Sequence, residues 1–375
     1  MTPVISPSPA SRLKDLAFKF VALLFPAVMV YIIKTDGSGC GDLPRDFQFF
    51  PIAAGCAFIL AVIWSFIDRQ KRDYSRLQYV LQILTRYFLA YIILQYGVAK
   101  VIDMQFSPNL SSLDTRAADM HPMTLAWTFF GYSFKYEFFI GCSQIAAAIL
   151  LVFRRTATLG AILMVTIMGN IVFVNFAFDV CVKFFSTTYL VMSLYLLIDD
   201  APRLINFLLL NRTAEKRSYP EIFRTRRARR IFFSCCTALL LVGVFYQLRL
   251  ISTEAREYGI GQHSALYGVW AVDTLHTSRD SLNIQLNTDS SGWKKILFED
   301  FNNASIKSWK VGKGYFSYSV DTVQHLLTMK QTYPDTLSAV KARYIRSKDT
   351  LTISGLYDKD SIFARMHLLH KYFIR

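Results

Sequence analysis

Ionisable and amide side chains embedded in apolar sequence are the residues of this chain best suited to chemistry. The densest run is Arg86-Tyr87-Phe88-Leu89-Ala90-Tyr91-Ile92-Ile93-Leu94-Gln95-Tyr96-Gly97-Val98-Ala99-Lys100-Val101-Ile102-Asp103. At about 100° per residue, Arg86, Gly97 and Lys100 fall within roughly 60° of one another on a helix, so one face presents two cations with a glycine between them. Gly97 removes a side chain from that face and lets a neighbouring helix approach closely. Glu137, Gly141 and Gln144 then follow with helical i, i+4, i+7 spacing, Asn175 and Asp179 are four apart, and Lys183 lies at the next such step. In a low-dielectric setting a lysine can act as a base or an anion contact and a glutamate as an acid, base or counter-ion, because burial disfavours the charged form of each. Arg86, Lys100, Asp103, Glu137, Gln144, Asn175, Asp179 and Lys183 therefore form the candidate polar site. No C-x-x-C pair, Gly-rich dinucleotide fingerprint or metal-ligand spacing occurs, so no metal and no cofactor is assigned and a redox role needs a partner or a quinone-like ligand.

The elements that must position these residues are membrane spans. Of the 375 residues, 53% are hydrophobic and only 18% charged, and apolar stretches dominate the first two-thirds, which excludes a soluble core there. About seven spans are predicted over Leu16–Ile33, Phe49–Ile67, Tyr79–Ile102, Phe138–Phe153, Leu159–Phe178, Val182–Ile198 and Ile231–Leu248, most near the ~20 residues a bilayer requires. The fourth and sixth are the shortest. An ionisable residue inside a span is functional by default, whereas one near its end can snorkel to water. Lys100 and Glu137 are expected to face the bundle, while Asp103, Lys135 and Lys183 are placed to reach water as readily.

Orientation follows from charge. Arg12 and Lys14 precede the first span and Lys19 lies near its start, Arg69, Lys71, Arg72 and Arg76 follow the second, Arg154 and Arg155 follow the fourth, and Arg224, Arg226, Arg227, Arg229 and Arg230 abut the seventh. Positive residues near span ends stay in the cytoplasm, so the N-terminus faces inward and residues after Ser252 lie outside. Before Ser252 there are 26 basic and 15 acidic residues, and from it onward 16 and 12. The basic run is a topology signal and anionic-lipid contact, not a nucleic-acid site. A signal peptide is the alternative for the first span, but its apolar stretch is long and no small-x-small cleavage site follows, so a retained span is expected. Gly37-Ser38-Gly39-Cys40 has Gly where a lipoprotein processing site would carry Leu. Cys56, Cys142, Cys181, Cys235 and Cys236 sit in or at spans, where small apolar packing is expected. The connection Met104–Ser133 is long enough for a lid or partner contact, or a tether.

Beyond Gln247 apolar residues alternate with polar ones, as in Phe316, Tyr318 and Val320 or Leu351 and Ile353. Period-two patterning, with turn signals at Ser290-Ser291-Gly292, Gly312-Lys313-Gly314, Ser347-Lys348-Asp349 and Asp358-Lys359-Asp360, predicts about eight or nine strands in a small antiparallel β-barrel or β-sandwich. Trp270, Trp293 and Trp309 are expected as core aromatics. Gly268-Val269-Trp270 is similar to the Gly-x-Trp opening of lipocalin-type barrels, whose cavities hold lipophilic ligands. His276, His325, His367 and His370 form no constellation.

Arg86, Gly97-Val98-Ala99-Lys100, Asp103, and Glu137 leading to Arg154-Arg155 together resemble the DoxX-like membrane family over approximately residues 79–198. The resemblance implies a four-helix membrane bundle, a bacterial inner membrane setting, and kinship with membrane subunits of oxidoreductases in sulfur or thiol chemistry. The domain plan is then an N-terminal pair of spans (1–78), a DoxX-like bundle (79–210), a basic loop and seventh span (211–251) and an exported, periplasmic β-domain (252–375). Two functions compete: a membrane subunit or scaffold presenting the β-domain to a protein partner or lipophilic ligand, and a membrane enzyme or oxidoreductase subunit acting on a quinone-like substrate at the outer leaflet. Membrane lipids are expected partners of either.

Overall fold

The computed structural model describes residues 9–35, 42–68, 73–106, 109–213, 219–223, 225–257, 263–278, 292–300, 302–308, 313–333 and 338–370. Gly37-Ser38-Gly39-Cys40, Arg69, Lys71, Arg72, Arg224, Ser290-Ser291, Trp309 and Gly312 lie outside them. The chain divides into two compact units, one of residues 1–105 with 135–247 and one of 106–134 with 248–375.

The first unit is helical. Helices α1 (Pro9–Thr35), α2 (Pro44–Ile67), α3 (Ser75–Val101), α6 (Phe134–Val152), α7 (Ala157–Ala177) and α10 (Arg226–Glu257) carry segments long and apolar enough to cross a membrane. The protein is therefore a multi-pass membrane protein. The predicted span at Val182–Ile198 forms α8 (Lys183–Leu197), of 15 residues. At 1.5 Å per residue that is about 22 Å, short of the ~30 Å apolar core. Its start is set by a polar group. Asp42 accepts from the Lys183 and Phe184 amides at 3.0 and 3.1 Å, which starts the helix, and a 3-10 turn at Ile198–Asp200 leads into α9 (Ala201–Leu208). Helix α3 packs against α1 and α8, and α7 against α8. α1 is a packed helix, with Phe25, Val28, Met29 and Ile32 buried.

Lys19 and Cys181 have surroundings that the sequence did not announce. Lys19, read as an orientation signal, is wholly buried: its Nζ lies 2.7 Å from Asp15 and 3.8 Å from Asp68. The same ammonium stands 5.6 and 5.3 Å from the Trp64 and Tyr74 rings, so a charge too costly to bury alone is paired and ringed by π-faces. Cys181 is disulfide-bonded instead of serving as apolar packing, whereas Cys56, Cys142, Cys235 and Cys236 are free thiols.

The second unit is a closed antiparallel barrel, not a sandwich. Strands β1 (Gly268–Thr277), β2 (Trp293–Phe298), β3 (Asn303–Ser308), β4 (Lys313–Asp321), β5 (Leu326–Tyr333), β6 (Ala339–Ser347), β7 (Thr350–Tyr357) and β8 (Asp360–Leu368) pair in chain order, and β8 returns to β1. Alternate residues turn inward. Trp270, Trp293, Ile296, Phe298, Phe316, Tyr318, Leu327, Met329, Tyr344, Ile353 and Met366 form one buried cluster that fills the interior, as eight strands allow. Trp270 donates to the Leu266 carbonyl at 2.8 Å, and the Arg346 guanidinium stands 5.3 Å from its ring. The Gly-Val-Trp opening thus serves packing. Gly355 is required on β7, because a Cβ there would strike Lys341 O and Ala342 Cα of β6.

The segment 106–134 between the third and fourth predicted spans belongs to this unit. It folds as α4 (Leu110–Leu113) and α5 (Pro122–Gly131), with Asn109 capping α4 by accepting from the Ser112 amide at 2.8 Å. Leu110 packs with Val269 and Leu297. The Glu299 carboxylate accepts from the Ser111 amide. Asp114 meets Lys295 and Lys307, each at 2.6 Å, and its carbonyl takes a further bond from Lys307 at 2.7 Å.

Candidate functional site

The eight polar residues singled out from the sequence separate into three groups. Lys100, Glu137, Gln144 and Asn175 are buried within the helical unit, at 4, 0, 1 and 4% exposure. Glycines bring the first three together. A Cβ on Gly97 would lie 3.0 Å from Gly141 O and 3.2 Å from Gln144 Cβ, and one on Gly141 would lie 2.7 Å from Gly97 O and 3.0 Å from Lys100 Cβ. Helices α3 and α6 therefore touch backbone to backbone at Gly97 and Gly141, the contact that small residues permit.

On that seam Lys100 Nζ donates to Gln105 Oε1 at 2.7 Å, stands 5.9 Å from the Tyr96 ring and interacts electrostatically with Glu137. That interaction offsets part of the cost of burying either charge. Gln144 Oε1 and Asn175 Nδ2 have no hydrogen-bond partner among the described residues. A buried orphan acceptor and a buried orphan donor are each costly, and a polar ligand or water satisfies such atoms. The arrangement can hold an anionic or carbonyl-bearing group against Lys100 or exchange a proton with Glu137.

Arg86 belongs elsewhere. Its guanidinium donates to the Leu151 and Val152 carbonyls at 2.9 Å each, at the C-terminal end of α6. There it satisfies carbonyls that the helix cannot and complements the negative end of its dipole. Fourteen residues of α3, about 21 Å of helix, separate it from Lys100.

Asp103, Asp179 and Lys183 have structural surroundings. Asp103 and Asp179 adopt φ of 58° and 51° directly after α3 and α7, the left-handed conformation that ends a helix. Lys183 lies 2.7 Å from Asp179 and 3.6 Å from Asp42.

Sequence reasoning missed Gln105, which gave no signal beyond its nearness to the end of α3. It also missed a polar cluster at the opposite end of the unit. There Gln78 and Gln82 donate to Asp199 at 2.8 and 2.7 Å, and Thr158 donates to Asp200 at 2.6 Å. The i, i+4 glutamines on α3 and the Asp199-Asp200 pair were its visible signs. Among the described residues, no group of three His, Cys, Asp or Glu side chains could hold a metal ion.

Comparison with known proteins yields one curated relative, the uncharacterized protein YwoB of Bacillus subtilis (strain 168). It is 46% identical over 112 residues, which are 30% of this chain and 71% of that protein. No family model matches the chain. No solved structure matches it significantly.

Proposed function

The chain belongs to the same family as the uncharacterized protein YwoB, and from that premise we propose that it is a membrane subunit or scaffold whose helices carry a β-barrel and present it to a protein partner or lipophilic ligand. The observation that carries this reading is the clamp of Asp114 on Lys295 and Lys307. A segment lying between two spans is built into the barrel unit, so the chain passes between the units at three places, near residues 105, 134 and 247.

The helices of residues 79–198 are read as a DoxX-like bundle, a reading supported by the seam that joins the Gly97-x-x-Lys100 helix to the Glu137 helix. The proposed setting is a bacterial cytoplasmic membrane, with the N-terminus inside and the barrel on the outer, periplasmic side. Basic residues at alternate junctions support that orientation. So does the oxidised state of Cys181, which lies at an end assigned to the outside, where disulfides persist.

The buried Lys100, Glu137, Gln144 and Asn175 favour a second reading, an enzyme or oxidoreductase subunit acting on a quinone-like substrate at the outer leaflet. Complementation of a deletion strain separates the two. The scaffold reading expects a chain lacking residues 252–375 to fail and the Lys100→Met, Glu137→Gln double variant to succeed, provided both reach the membrane at normal levels. The opposite pattern would overturn it in favour of the enzyme.

A further inference from the structure

We propose that a cavity at the basic ends of the helices binds one anionic phospholipid, with its phosphate among arginines and its acyl chains along the apolar wall. The cavity has a volume of about 1210 Å³, larger than the roughly 300–1,000 Å³ of small-molecule pockets. Its lining includes Arg154 and Arg155 from the α6–α7 turn, Arg203 from α9 and Arg229 from α10, and among the described residues no carboxylate.

Two of these guanidiniums are held in place. Arg154 stacks on Tyr219, 3.8 Å from the ring centroid, and Arg203 is bound at 2.6 Å by Asp200, which Thr158 in turn holds at 2.6 Å. Arg155 and Arg229 are exposed at the mouth. Anchored and exposed guanidiniums around one cavity suit a phosphate, whose oxygens accept their forked donors.

The rest of the wall decides between a lipid and a free phosphate. Leu159, Ile162 and Leu241 lie in α7 and α10, both membrane-spanning candidates, and Leu159 and Leu241 are 57 and 58% exposed. A cationic mouth at span ends above an apolar floor within the spans matches an amphiphile with an anionic head. A soluble phosphate leaves that floor empty, and an acidic peptide does not reach it. The basic junctions are the ends assigned to the cytoplasm, where an anionic leaflet supplies the ligand.

The test is native mass spectrometry of the full chain in mild detergent, titrated with phosphatidylglycerol or phosphatidylcholine. The expected result is a one-to-one phosphatidylglycerol complex and no comparable phosphatidylcholine complex. Affinity should fall about fivefold for Arg155→Gln and roughly 25-fold for Arg155→Gln with Arg229→Gln, since each arginine near a membrane surface contributes on the order of a fivefold factor. Arg12→Gln with Lys14→Gln removes equal charge at exposed positions outside the cavity and should change affinity less than twofold. Equal loss in this control pair, equal binding of phosphatidylcholine, or displacement of the lipid by glycerol phosphate or a polyglutamate peptide would each overturn the proposal.

Discussion

Asp114 offers the sharpest perturbation of the barrel unit. Its side chain is 6% exposed, and Lys295 and Lys307 are 18 and 21% exposed. Asp114→Ala leaves two ammonium groups close together, largely out of water and without their shared counter-charge. Breaking a buried pair costs about 3–5 kcal/mol, whereas exposed pairs contribute about 0–1 kcal/mol. With the carboxylate buried and each lysine about a fifth exposed, the expected cost is about 3 kcal/mol. That corresponds to a roughly 150-fold rise in the open fraction of the clamp. Hydrogen exchange on the full chain reads this directly, as lost protection of the amides around α4, where the Ser111 amide is bonded to Glu299. Replacing all three charges, Asp114→Leu with Lys295→Met and Lys307→Met, should restore most of the protection, because matched apolar groups tolerate burial that a lone charge does not. A change of less than about threefold in Asp114→Ala would refute the clamp as an energetic tie.

Two further perturbations test the helical seam and the barrel core. Gly141→Ala places a methyl group 2.7 Å from the Gly97 carbonyl; overpacking of about 1–3 kcal/mol against a helix-propensity gain of about 1 kcal/mol predicts net destabilisation, read as a lower thermal midpoint in detergent. Gly169→Ala, where nothing lies within 4 Å, should instead be neutral or stabilising. Tyr318, whose hydroxyl bonds with Ser264 Oγ at 2.6 Å and the Glu299 carbonyl at 3.0 Å, has its pKa raised above the ordinary 10.0, chiefly by burial. The unfolded chain then loses this proton before the folded barrel does, so its contribution is complete below about pH 10 and is lost as pH rises through the folded value. Thermal unfolding between pH 9 and 11 should therefore show an alkaline loss of stability that Tyr318→Phe reduces; an unchanged slope in that variant would refute the assignment.

Features written in local periodicity were legible. Phe316 and Tyr318 point into the barrel as their alternation with Ser317 and Ser319 predicts, and Gly97 meets a neighbouring helix as a missing side chain on a cationic face predicts. Lys100 and Glu137 are buried as expected of ionisable groups set within spans. What stayed hidden depends on residues far apart in the chain. Asp42 starts α8 from 141 positions away, and Asp114 reaches Lys295 across 181. Arg86 shared a helix face with Lys100, yet angular position alone says nothing of depth, and its partners are carbonyls, which carry no signature in a sequence.

The clamp also orders events during synthesis. Lys295 is polymerised 181 residues after Asp114, which at about 5–20 residues per second is a delay of roughly 10–40 s. Through that interval Leu110 awaits Val269 and Leu297, and the Ser111 amide awaits Glu299. A segment made early is thus completed by strands made late, so the newborn protein passes through a stage in which 106–134 is present and its binding surface is not yet synthesised. A chaperone or protease acting on that segment would sense whether the barrel has arrived.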